Sequence, residues 1–158
     1  MTKIKRLLKK CLSYGLVICL LGSFTLLSGC LGEHDAKTAK NFQFLQKYHL
    51  QFIDTYTESP EKVWNPETFK LDVATGNGLF ETAIDYERSH KHPDDYRRRA
   101  FKILHDHFDT HAELLRSYPA TSSHFFSPAV AESIKAQIKR NYKAALDGEL
   151  ARAKEIKR

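Results

Sequence analysis

The chain has 158 residues, with 25 Lys and Arg against 19 Asp and Glu and a formal net charge of +6. Five of those cations (Lys3, Lys5, Arg6, Lys9 and Lys10) crowd the first ten residues, where there is no acid; without them 20 basic residues face 19 acidic ones. That near-balance excludes a polybasic nucleic-acid surface, the length fits one domain, and three cysteines confined to positions 11, 19 and 30 exclude a disulfide-stapled or thiolate-metal fold in the rest.

The first element is a basic head followed by an apolar run from Cys11 to Leu27 and a small-residue exit, the order of a secretory signal. The competing reading is a transmembrane anchor. The run falls short of the ~20 residues a spanning helix wants, and it contains Gly15, Gly22, Ser13, Ser23 and Thr25. The exit, Leu27-Ser28-Gly29-Cys30, resembles the lipobox of bacterial lipoproteins. The resemblance covers about the first 30 residues. It implies that signal peptidase II recognises Leu27, Ser28 and Gly29 and cuts before Cys30. Cys30 would then carry a diacylglyceryl group on sulfur and an acyl chain such as palmitate on its new amine. Two or three chains hold a protein stably on a membrane where one does not. Leu31 follows the cysteine where aspartate would retain the protein at the inner membrane. If the source is Gram-negative, the resemblance therefore implies the outer membrane, facing the periplasm.

The expected organisation is a signal peptide over 1–29, a lipidated N-terminus and flexible polar tether over 30–38, and an α-helical domain over 39–158. Within that domain the first helix is expected from about Ala39 to Thr57, because Phe42, Leu45, Tyr48, His49, Phe52, Ile53 and Tyr56 recur at steps of three and four. Ser59-Pro60 ends it. Lys62 to Asn77 looks irregular, pinned by Trp64 and Phe69, and Thr75-Gly76-Asn77-Gly78 predicts a break. An exposed Trp64 would suit ligand or partner contact. A second helix is expected from about Gly78 to Ser89, with Leu79, Phe80, Ala83, Ile84 and Glu87 on one stripe. Glu81, Asp85 and Arg88 lie on the other side, as a solvated ion-paired face rather than an acid/base pair.

The third helix is expected from about Pro93 to Tyr118. Tyr96, Ala100, Ile103, Leu104, His107, Phe108, His111, Leu114 and Leu115 form its inner side, and Arg97, Arg98 and Arg99 point three ways. Ser127-Pro128 opens a fourth helix with Val130, Ile134, Ile138, Tyr142 and Ala145 inward, Gly148 as a weak point, and a fraying charged end from Arg152 to Arg158. No stretch alternates with period two. The fold class is all-α, a single irregular bundle of about four main helices.

The candidates for chemistry are histidines. His107 and His111 share a helix face, and His49 lies in an apolar stripe, so the three would offer a metal its protein ligands with water in a fourth place. The same residues fit plain core packing, with each ring satisfied by a backbone carbonyl or a tyrosine, and no His-Glu-x-x-His motif is present. No phosphate loop or Gly-x-Ser-x-Gly elbow occurs. Glu81 as the acid of a small glycosidase lacks a sugar-cleft pattern, and no catalytic residue is assigned. The leading expectation is a non-enzymatic helical interaction module in envelope assembly, exclusion or immunity, or as a secretion-system accessory. It would need no cofactor beyond its covalent lipid. Its partners would be the membrane and an envelope protein, with no nucleic acid. The alternative is a periplasmic lipoprotein that binds a metal or small ligand through His49, His107 and His111.

Overall fold

The computed structural model describes residues 34–57, 65–89, 94–117 and 128–155. The signal segment, Leu27-Ser28-Gly29-Cys30, Trp64, His90 and His92 lie outside the described residues. Four helices follow in order: α1 (Ala36–Thr57), α2 (Pro66–Arg88), α3 (Asp95–Ser117) and α4 (Pro128–Glu155). The described residues contain no strand, and none of their helices is long and apolar enough to cross a membrane. Cross-helix contacts fix an up-down-up-down bundle. Thr38 meets Glu87 while Phe52 meets Phe69, so α1 and α2 run antiparallel. Phe80 meets His105 while Phe69 lies under Arg116, which sets α2 against α3. His34 meets Glu149 while Asp54 meets Lys135, which returns α4 along α1. The all-α four-helix expectation holds.

The core is built from phenylalanine. Phe42 stacks on Phe101 with centroids 4.1 Å apart, and Phe108 touches Tyr48, His49, Phe52 and Phe80 from the middle of α3. Truncating such a ring to alanine costs about 3–5 kcal/mol, because transfer and cavity terms add. Phe108, Phe101 and Phe80 are fully buried, so each is a principal strut.

An expectation about each of the four helices is corrected. First, α1 begins at Ala36, ahead of the boundary expected at Ala39. Asp35 Oδ1 accepts from the Lys37 amide at 2.9 Å, and Asp35 O accepts from the Ala39 amide at 3.1 Å. This N-cap fixes residues assigned to the tether. Second, α2 begins at Pro66, not Gly78. Asn65 caps it by accepting from the Glu67 and Thr68 amides, with Pro66 at the first helical position. Thr75-Gly76-Asn77-Gly78 lies inside the helix. A Cβ at Gly76 would sit 2.3 Å from Phe108 Cζ, so the missing side chain is what lets α2 close on α3. Tertiary packing there outweighs a helix propensity loss of about 1 kcal/mol. Third, the buried face of α3 is rotated from the expected one. Arg97, Phe101 and Ala112 are inside, whereas Tyr96 and Ile103 are exposed. On α4, Ala131 replaces Val130 inside, and Arg152 is buried rather than frayed.

Candidate functional site

Two clusters of buried polar side chains interrupt the apolar core, and both span several helices. The first occupies the bundle end where α1 and α3 begin and α2 and α4 finish. The inner stripe of α4, Ile134, Ile138, Tyr142 and Ala145, continues at the same spacing into Glu149 and Arg152. Glu149 takes a two-point grip from Arg97, with Nε at 2.7 Å and Nη2 at 2.9 Å. Arg152 Nη1 also donates to Glu149, and its Nη2 pairs with Asp94 at 2.9 Å. Asp94 is itself the N-cap of α3, accepting from the Tyr96 amide at 2.8 Å. Thr38 Oγ1 donates to Asp35 Oδ2 at 2.7 Å and lies against Glu87 Oε1. His34 Nδ1 meets the Glu149 carbonyl at 3.1 Å. Burial pulls the Arg97 pKa down, but the hydrogen bonds it donates to Glu149 and the charges of Glu149, Glu87 and Asp94 outweigh it and raise it overall. Planar bidentate pairing of this kind is what makes arginine, not lysine, suitable for a desolvated carboxylate.

The second cluster sits in mid-core. His49 Nε2 and His111 Nδ1 lie 2.9 Å apart as a direct imidazole–imidazole hydrogen bond, with Phe108 and Tyr142 edge-on to the His49 ring. Burial, and then the neighbouring His111 and His107, lowers His49 to about 3. Burial and then His107 lowers His111 to about 4. Both rings are therefore neutral at physiological pH, one donating and one accepting. Burial also raises the Tyr142 hydroxyl, which keeps its proton.

Of the three proposed metal ligands, His49 and His111 come together, but they point their ring nitrogens at each other. His107 Nδ1 is held by Asn141 Nδ2 at 2.8 Å. Among the described residues no group of three or more His, Cys, Asp or Glu side chains is placed to hold a metal. The two core rings bond to each other, a partner neither reading names, and His49 Nδ1 is buried without a hydrogen-bond partner among the described residues.

The solvated face of α2 is as expected, with Arg88 Nη1 2.8 Å from Asp85 Oδ1 and both side chains exposed. Glu81 borders an open groove between α2 and α3 that also carries Arg88, Arg98, Arg99, Lys102 and His105. Arg97 turns inward, but Arg98 and Arg99 share this groove, so two of the three arginines converge where three directions were expected. His105 lies flat on Phe80, centroids 4.8 Å apart, and its Nε2 meets Asn77 Oδ1 at 3.1 Å.

Comparison with protein-family models, curated proteins and solved structures finds no match to this chain.

Sequence inspection missed the ionic cluster, although a signal for it existed. Glu87 falls on the apolar stripe of α2, and Glu149 and Arg152 extend the stripe of α4. Charged residues at core register, of opposite sign on different helices, are the mark of an internal ion pair.

Proposed function

We propose that this protein is a lipid-anchored envelope lipoprotein whose helical body acts by binding, not by catalysis. The observation that carries the reading is the order of basic head, apolar run and Leu27-Ser28-Gly29-Cys30. Cys30 is the site of the lipid, and the three residues before it are the peptidase recognition site. The geometry of the body supports a binding role. Its chemistry-bearing side chains are turned toward one another: His49 to His111, His107 to Asn141, and Glu149 to Arg97 and Arg152. Groups engaged in this way hold helices in place. The surfaces left for recognition are helix faces and the grooves between them, which suit a protein or peptide partner. The outer membrane, facing the periplasm, is the placement favoured by Leu31 after the cysteine in a Gram-negative cell. Envelope assembly, exclusion or immunity, and secretion support are the processes in which such a module would serve.

Cell fractionation with and without globomycin tests the anchor. Expected is a membrane-bound form that shifts to a larger, unprocessed precursor when signal peptidase II is inhibited, and the same precursor for Cys30→Ser. Processing that ignores the drug and the substitution contradicts the reading.

A further inference from the structure

We propose that the bundle end carrying the ionic cluster rests directly on the phospholipid bilayer that holds the acyl chains, with Tyr96, Lys37 and Lys154 among the contact residues. The proposal depends on the anchor at Cys30 and adds the orientation and contact face of the body.

The argument begins with how the chain enters the bundle. His34 and Asp35 are fixed to α4, His34 Nδ1 to the Glu149 carbonyl at 3.1 Å and the Asp35 amide to Glu149 Oε2 at 3.5 Å. Thr38 ties the first turn of α1 to Asp35 and, across the bundle, to Glu87. Lengthening the tether by unwinding α1 would break this set of contacts, three of them part-buried and the Thr38–Glu87 contact buried. Four peptide units separate Cys30 from His34, and a fully extended chain covers at most about 3.6 Å per residue, or roughly 14 Å. An acylated Cys30 lies at the bilayer surface, so His34 stays within that distance of it. A partner helix, about 10–12 Å across, would fill the whole span. The length therefore selects the bilayer as the occupant, not another protein layer.

The antiparallel topology brings the end of α2, the start of α3 and the end of α4 to the same level as His34. The side chains presented there suit a membrane interface. Tyr96 is 59 % exposed, and its ring lies 5.3 Å from the buried Arg152 guanidinium. Lys37 is exposed with its ammonium 4.0 Å from the Tyr86 ring, and Lys154 is exposed on the last turn of α4. Tyrosine places an apolar ring and a polar tip at headgroup depth, and lysine stems lie along apolar surface with the charge in water. Leu71 and Val130, also exposed, belong to the opposite end of the bundle and serve as internal controls.

The experiment uses the processed protein, extracted from membranes and reconstituted into phosphatidylethanolamine/phosphatidylglycerol vesicles that contain a headgroup-labelled quenching lipid. Cys11 and Cys19 leave with the signal and Cys30 is blocked by lipid, so an introduced cysteine is the sole free thiol for an environment-sensitive dye. Single variants Tyr96→Cys, Lys154→Cys, Leu71→Cys and Val130→Cys are compared, each checked for native helicity. Lys154→Cys guards against a local folding defect at Tyr96. The expected result is several-fold stronger quenching at positions 96 and 154 than at 71 and 130. Equal quenching at both ends, or stronger quenching at 71 and 130, overturns the proposal while leaving the anchor intact. A peptide from the same preparation in which Cys30 carries no lipid overturns the anchor reading itself, and the two failures are thereby distinguished.

Discussion

At the scale of single residues, His49 and His111 make the folded chain sensitive to acid. The groups that act on His49 are two more histidines, His111 and His107, and it pairs with the nitrogen of one of them. Folded-state values of about 3 and about 4 lie below the ordinary histidine value near 6.5. The unfolded chain therefore takes up protons first as pH falls, and stability drops from about 6.5 down to about 4 for His111 and about 3 for His49; above that window, this contribution is fully present. The slope is at most about 1.4 kcal/mol per pH unit for each histidine. Urea midpoints measured at pH 7.5, 5.5 and 4.5 should fall in that order, and a His49→Leu/His111→Leu double variant should flatten the fall. Equal midpoints across the window would contradict neutral burial. Glu149 makes the second residue-scale prediction. Arg97→Ala takes the two-point partner from a buried carboxylate that keeps only Arg152 and should destabilise by up to about 3–5 kcal/mol, whereas Arg97→Met with Glu149→Leu, which removes both charges and leaves Arg152 its pairing with Asp94, should recover part of that loss. Equilibrium unfolding of the three proteins decides it.

At the scale of elements, the glycines of α2 separate what a local pattern can say from what it cannot. A Cβ at Gly76 meets the Phe108 ring, while one at Gly78 meets nothing within 4 Å. Gly76→Ala should therefore destabilise by about 1–3 kcal/mol through overpacking against a fully buried ring. Gly78→Ala should stabilise by roughly 0.5–1 kcal/mol through helix propensity alone. A thermal melt that moves both in the same direction would refute the close approach of α2 and α3. Asn65→Ala should cost about 1 kcal/mol through loss of the cap. The stripes of Phe42, Leu45, Phe52 and Ile53, and of Ile134, Ile138 and Tyr142, were legible in the sequence because burial repeats at helical spacing. Gly76 was misread as a break because its meaning depends on Phe108, 32 positions further along. The ionic cluster is half legible: Glu87, Glu149 and Arg152 fall at core register, but the pairing of Glu149 with Arg97 depends on a residue 52 positions away on another helix. The histidine pair was half legible. The stripes bring His49 and His111 to the core, but only the packing shows their ring nitrogens 2.9 Å apart.

At the scale of the whole molecule, the ion-paired seam lies at the end of the bundle where the described chain begins. The seam clamps the first residues of α1 to α4 through Glu149, so a pull on the N-terminus is resisted at once by Arg97, Arg152 and Asp94. If the proposed anchor holds, a body clamped in this way would keep a defined stance on the membrane, with its sides and far end left to meet a partner. The address and the body thus make separate demands on the sequence. The proposed address is local, four consecutive residues, while the body is written in contacts between residues far apart. The measurement that bears most directly on this account is the mass of the N-terminal peptide of the mature protein taken from the membrane fraction. The account predicts a peptide beginning at Cys30 whose mass includes a diacylglyceryl group, with or without a further acyl chain. An unmodified Cys30 inside an uncleaved chain would contradict it.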